Sequence, residues 1–266
     1  MVLGFWLDQP VWLIFAALAS LFGAAIGLIR LVAACGVSRG FVASLGGVVA
    51  PFFGAVSVLL ALLTGFVAND AWERQRQAVR AVQAERDGAV AVYDLSLATV
   101  SDMAAIRAHL AAYLDAVVGE EWERMQDGET SPRAAAALGR LLQDAAAPRV
   151  SVEAGLAAHR ALLDTVLRLR GARGDRLALA QHASDQSKWL TLLVLAFLTL
   201  VALALVHLDR PRAQMTAMTV FAAAMISTLG LIALHERPFD GPRPVGAAPL
   251  KAALTLVAER AEAQAR

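Results

Sequence analysis

The sequence predicts an all-α fold: a polytopic membrane protein with four transmembrane helices in two hairpins and a long helical extramembrane domain between helices 2 and 3. Three observations predict it. At 58% hydrophobic and 18% charged residues, with a mean hydropathy of +0.56, the chain is too apolar for an ordinary soluble domain. Four stretches lack Asp, Glu, Lys and Arg over the roughly twenty residues that a hydrocarbon core of about 30 Å demands. Between the second and third stretches, charges recur throughout while apolar residues return at gaps of three and four.

The composition also excludes classes. A net charge of +1 gives no electrostatic case for nucleic acid, and no aromatic-and-basic patch is present. The single cysteine, Cys35, excludes an intrachain disulfide and a cysteine zinc site. Val32 to Cys35 looks like a lipoprotein cleavage box, but Arg30 lies inside the end of the apolar run and no basic residue precedes it, the reverse of a signal peptide.

The first hairpin spans 9–68. Its first helix, about 12–34, has Trp12 near its start and Trp6 just outside, an aromatic belt. A connection carrying Arg39 and Gly40 leads to the second helix, about 42–68. The uncharged run from Gly40 to Asn69 would reach about 45 Å as a helix. Gly47, Pro51, Gly54, Val58, Ala61, Gly65 and Ala68 recur there at gaps of three and four, and form a slim face. Two readings of that face stand: close helix packing, the commoner, and the wall of a narrow apolar pore. Where the run ends, Asp70, Trp72, Glu73 and Arg74 mark either the water boundary with Trp72 among the headgroups, or a charged vestibule.

The extramembrane domain, 69–187, starts with a long amphipathic helix through Val79, Val82, Val90, Tyr93, Leu97, Val100, Leu110, Leu114 and Val117. A break is expected from Gly119 to Pro132, with Glu120, Glu121, Glu123, Asp127 and Glu129 around Trp122 read as a solvated acidic turn, the commoner case, over a cation site. Ser131 as cap and Pro132 at the first position start the next helix, to about Ala147. Another begins near Ser151 and buries Leu156, Leu163, Val166 and Leu177, with Gly171 and Gly174 as points of interruption.

The second hairpin, 188–235, has helices at about 189–208 and 213–235, joined by Asp209, Arg210, Pro211 and Arg212. In 236–266, prolines and glycines exclude a regular helix up to Pro244, and an amphipathic tail follows from Ala248 with Leu250, Leu254 and Val257 on one side. Basic residues are more numerous on the domain and tail than on the two short loops, which leans them towards the cytoplasm of a bacterial inner membrane. The short loops, which weigh most, are themselves net basic.

No catalytic or cofactor constellation is visible. His109, His159, His182, His207 and His235 are scattered without ligand spacing, and no nucleophile elbow, phosphate loop or dinucleotide fingerprint occurs. An enzyme, a metal site and a cofactor are therefore not expected.

Two further motifs join the helix exit. Glu121-Trp122-Glu123-Arg124-Met125 through Ser131-Pro132 and Glu236-Arg237-Pro238-Phe239-Asp240-Gly241 match the E-W-x-x-M…S-P and D-x-P-F-x-G elements of the bacterial bestrophin-like membrane family, a domain family of unknown function. Thr64 to Arg74 resembles the end of the second membrane helix of the bestrophin anion channels. Gln75-Arg76 stands where those have paired aromatics, and Glu236 where the bacterial family usually has Asp. The resemblance implies a homo-oligomer, a pentamer as in bestrophins, passing small inorganic anions through the bilayer. It makes Gly47, Pro51, Gly54, Val58, Ala61 and Gly65 pore-lining candidates, and Asn69, Asp70, Trp72, Glu73 and Arg74 pore-mouth candidates. The family-motif residues are Glu121, Trp122, Met125, Ser131, Pro132, Glu236, Arg237, Pro238, Phe239 and Gly241. A non-conducting membrane sensor or scaffold, whose helical domain binds a partner protein, is the alternative.

Overall fold

A computed structural model describes residues 9–34, 50–97, 103–181 and 186–265. Cys35, Gly47 and the connection of the first hairpin lie outside them. The described residues contain helices and turns and no strand. The helices are α1 (Val11–Ala34), α2 (Ala50–Leu97), α3 (Ala104–Ala116), α4 (Pro132–Ala145), α5 (Pro148–Ala154), α6 (Leu156–Gln181), α7 (Gln186–Val206), α8 (Pro211–Ala233) and α9 (Ala248–Ala265). Four of them, α1, α2, α7 and α8, are long and apolar enough to cross a membrane. The described residues fall into two compact units, and α2 contributes its residues up to Glu73 to one and those from Arg74 to the other.

The membrane unit holds α1, the first half of α2, α7 and α8. Each helix sends one stripe into a shared core: Ile14, Leu18 and Phe22 from α1, Leu60, Val67 and Ala71 from α2, Trp189, Leu192, Ala196 and Leu200 from α7, and Met218, Ala222, Met225 and Leu229 from α8. In lipid the apolar outer faces gain nothing from leaving water, so close packing and polar bonds hold such a bundle. α1 runs antiparallel to α8. At one end Gly230 lies so close under the Phe15 ring that a methyl group there would overlap it. At the other, Arg30 donates to Gln214 at 3.1 Å. Gln214 in turn donates to the carbonyl of Ala204 at 2.7 Å, satisfying an otherwise open acceptor near the end of α7.

The helical unit is held by the hydrophobic effect. Ile106, Leu110, Tyr113 and Leu114 of α3 meet Ala134, Ala137, Leu138 and Leu141 of α4, the most extensive pairing among the described helices. Ser131 caps α4 by accepting from the Ala134 amide at 3.1 Å, and Pro132 sits in its first turn, as the sequence predicts. α6 buries Leu162, Val166, Leu169 and Ala172, and the Cα of Gly88 on α2 lets Leu169 approach closely. α9 adds Leu250, Ala253 and Val257 to the same core.

Several expectations change in detail. The amphipathic helix expected to run to Val117 is two helices, α2 and α3, and Val100 lies outside the described residues. The break expected from Gly119 comes later: helical turns continue through a π-type turn at Val117–Glu121 to Asp127, and the chain reverses at Gly128, where φ is +74°. The helix expected from Ser151 begins at Pro148, stops at Gly155 with φ +83°, and restarts as α6. α6 then continues through Gly171 and Gly174 without interruption. Its buried stripe is Leu162, Val166, Leu169, Ala172 and Arg176. Leu156 is exposed, because six residues before Leu162 it lies roughly 120° round the helix from that stripe.

Candidate functional site

From Gly54 to Gly65 the slim face of α2 is turned away from its own subunit's core, and Ala68 at its end packs against that core. Leu60, Val67 and Ala71 face inward, with Phe53 and Leu63 packed beside them. Val58, Ala61 and Gly65 are exposed, Gly54 is half-buried, and among the described residues no heavy atom other than the local helix backbone stands within 4 Å of where a side chain at Gly54 or Gly65 would begin. Packing within the subunit therefore does not require glycine at either position. A bulky flank, Leu59, Leu62 and Phe66, is exposed beside the slim face, Phe66 to 72%. Pro51 lies in the first turn of α2, where a missing amide donor costs nothing.

Further along α2, Asn69 is exposed and Asp70 takes a hydrogen bond from Lys188 Nζ at 2.6 Å, an ion pair with side chains 41% and 36% exposed. Trp72 stands edge-on to His235 at 6.5 Å between ring centres. Glu73 and Arg74 are half-buried.

The densest chemistry lies in the helical unit. Glu85 (α2), Glu121, and Arg176 (α6) are fully buried, and Arg173 nearly so. The Arg176 guanidinium donates to Glu85 through Nε at 2.6 Å and Nη2 at 3.1 Å, and to Glu121 through Nη2 at 2.7 Å. Its Nη1 meets the sulfur of Met125 at 3.2 Å, and the Trp122 ring lies 5.2 Å from the guanidinium carbon. Arg173 donates to both oxygens of Glu121, through Nε at 3.1 Å and through Nη2. Tyr113 (α3) donates to Glu85 at 2.5 Å, and the Ser131 amide donates to Glu121 at 3.3 Å. Phe239 packs edge-on against Trp122 at 6.0 Å.

Two guanidinium groups thus balance two carboxylates out of water. Burial alone pushes the Glu121 carboxyl up, but the bonds and charges of Arg173 and Arg176 outweigh it and hold the group below the usual carboxylate range. Burial, then Glu85, push the Tyr113 phenol well above its ordinary value. Burial alone would lower Arg176, and Glu85 and Glu121 more than reverse that. Across neutral pH Glu121 and Arg176 therefore stay charged and Tyr113 stays neutral, so these three hold their bonds without exchanging a proton.

The cluster joins residues that were separate in the sequence. Glu121, Trp122, Met125, Ser131 and Phe239 meet around Arg176, and Pro132 follows on the capped turn. Glu121 is fully buried and not part of a solvated turn, because two arginines and an amide replace its water. Glu120, Glu123, Asp127 and Glu129 lie at least partly exposed around it. Of the second motif, Gly241 closes a turn through its amide on the Arg237 carbonyl at 3.1 Å, where any side chain would strike that carbonyl. The Val245 amide bonds to the Pro238 carbonyl at 2.7 Å, and Glu236 is buried. Sequence reasoning missed Glu85, Tyr113, Arg173 and Arg176. The signal available was a charged residue at the helical spacing of an apolar stripe, Leu162 to Arg176. Among the described residues no group of three or more His, Cys, Asp or Glu is placed to hold a metal ion.

A family model described as Bestrophin-like domain matches residues 21–250. Among solved structures, a bacterial bestrophin homolog from Klebsiella pneumoniae carrying an aspartate-to-alanine substitution is similar at 13% identity over 90% of this chain and 97% of that chain, with a TM-score of 0.69. A second variant of the homolog from that organism, leucine to threonine, gives 15% identity, coverages of 94% and 96%, and a TM-score of 0.61. A crystal structure described as a membrane protein gives 14% identity, coverages of 91% and 96%, and a TM-score of 0.65. Likeness at these identities shows the fold. No match is found among the curated proteins.

Proposed function

The chain belongs to the bestrophin-like domain family, and from that premise we propose that it forms an oligomeric, anion-selective channel whose axis is lined by α2. The observation that carries this is the open slim face. Among the described residues no side chain packs on Gly54 or Gly65, and an axis shared by several copies would account for their small size. Val58 and Ala61 continue that apolar face, and a narrow apolar constriction of this kind gates by dewetting. Gly47 and Pro51 extend the lining. Asn69, Asp70, Trp72, Glu73 and Arg74 form its mouth, residues 69–187 face the cytoplasm of a bacterial inner membrane, and five copies close the ring, as the family resemblance implies.

The test is conductance of the purified protein in planar bilayers under a salt gradient, with subunit number measured in detergent. The unmodified protein conducts with a reversal potential set by the anion. Gly54→Trp reduces the current at least tenfold, whereas Leu59→Trp, on the bulky flank, leaves it nearly unchanged. A strictly monomeric protein that conducts in none of several salts defeats the reading. An oligomer that conducts in none of them, and yields a crosslinked partner protein lost with the helical domain, establishes the sensor or scaffold instead.

A further inference from the structure

We propose that the furrow between α1 and α7 seats one acyl chain of an anionic bilayer phospholipid, with the lipid phosphate on Arg30. Two cavities of about 280 and 260 Å³ lie in line between these parallel helices and share Phe197. Leu21 and Val194 line the outer stretch of the first, Leu28 and Val201 the second. The α7 lining runs from Leu193 to Leu205, with Leu208 just past the helix end, about 18 Å of helix. One leaflet's half of a hydrocarbon core is about 15 Å, so the furrow accommodates a chain along its whole depth.

The charge stands at one end. Gln214 lines the second cavity, and its side-chain oxygen accepts from Arg30 Nη1 at 3.1 Å. Arg30 is half-buried inside a membrane-spanning helix, a position favourable to a guanidinium only where its head reaches the polar layer. Arg210 and Arg212 are exposed on the connection leading to Gln214, with Asp209 the acid among them. The rim is therefore net positive. A second copy of the chain is the competing occupant, but its four apolar stretches contain no carboxylate, and its own acid at that level, Asp209, stands beside Arg210 and Arg212, so it would bring a second net-positive rim to Arg30. A phosphodiester supplies both the chain for the furrow and the anion for the rim.

The test is native mass spectrometry of the purified full-length protein from mixed micelles containing equal phosphatidylglycerol and phosphatidylcholine. The unmodified protein retains phosphatidylglycerol over phosphatidylcholine by roughly fivefold or more, the preference one arginine near the membrane surface supplies. Arg30→Gln brings the ratio close to one, and Arg30→Lys keeps most of it. Val201→Trp, which fills the furrow, lowers retention of both lipids while thermal melting in lipid-free detergent stays within a few degrees. Equal retention by the unmodified protein overturns the proposal, as does a preference that survives Arg30→Gln. Disulfide formation between copies carrying Leu21→Cys or Val194→Cys overturns it by giving the furrow to a second subunit.

Discussion

Arg176 and Glu121 form a fully buried ion pair at 2.7 Å across 55 residues of chain, and the same guanidinium also holds Glu85. A buried ion pair gains little over well-packed apolar residues, but removing one partner leaves charge stranded out of water. Arg176→Met is expected to destabilise the helical unit by about 3–5 kcal/mol, read as a lower melting temperature of the purified protein. Arg176→Lys recovers only part, since an ammonium cannot present separate donors to two carboxylates and a sulfur in one plane.

The acid limit of stability follows from Glu121. Its folded value lies below its unfolded one, so its contribution is fully present above about pH 4.3 and is lost as pH falls through the lower folded value. Melting of the unmodified protein is therefore expected to drop on going from pH 5 to pH 3. Glu121→Gln starts from a lower melting temperature and shows a flatter acid limb, measurable by the same melting series.

Two glycines of the membrane unit should respond in opposite ways. Gly65→Ala introduces a methyl into open space and removes a flexible residue from a helix, so stability stays within about 1 kcal/mol and moves upward if at all. Gly230→Ala drives a methyl into the Phe15 ring and costs about 1–3 kcal/mol. Unfolding in mixed micelles separates the two, and pairing Gly230→Ala with Phe15→Leu restores part of the loss.

Asp70→Asn separates structure from transport. The pair with Lys188 is partly exposed, so its loss costs less than about 1 kcal/mol. At a pore mouth the same change removes one charge per subunit, and the ratio of anion to cation permeability rises. Reversal potentials in a salt gradient check this.

The four spans were legible in the sequence because lipid demands about twenty consecutive apolar residues, and little else satisfies that demand. Ser131 and Pro132 were legible for a local reason: a cap and a first-turn proline act on their own helix. The reason that Glu121, Trp122 and Met125 stand together was not legible, since their common partner Arg176 lies on a different helix whose sequence resembles a charged, solvated face, and Phe239 joins them through Trp122. Glu85 was hidden in the same way, between Arg80 and Arg86 on a stretch of α2 dense in charge. The open slim face of α2 was legible as a spacing pattern. Its orientation was not, because a helix wheel does not say which side the other helices of the subunit will occupy.

The bond between Arg30 and Gln214 joins residues 184 apart in the chain. At ordinary rates of protein synthesis, on the order of 10 to 40 s separates the appearance of the first from that of the second. For most of that interval α1 exists without α7, and for all of it without a complete α8, its principal partners in the finished bundle. Its outer surface must be sheltered by lipid or by the insertion machinery until the last spans arrive. Completion of the membrane bundle is thus among the final acts of biosynthesis, and a ribosome stalled before α7 releases a first helix without either of its principal partners.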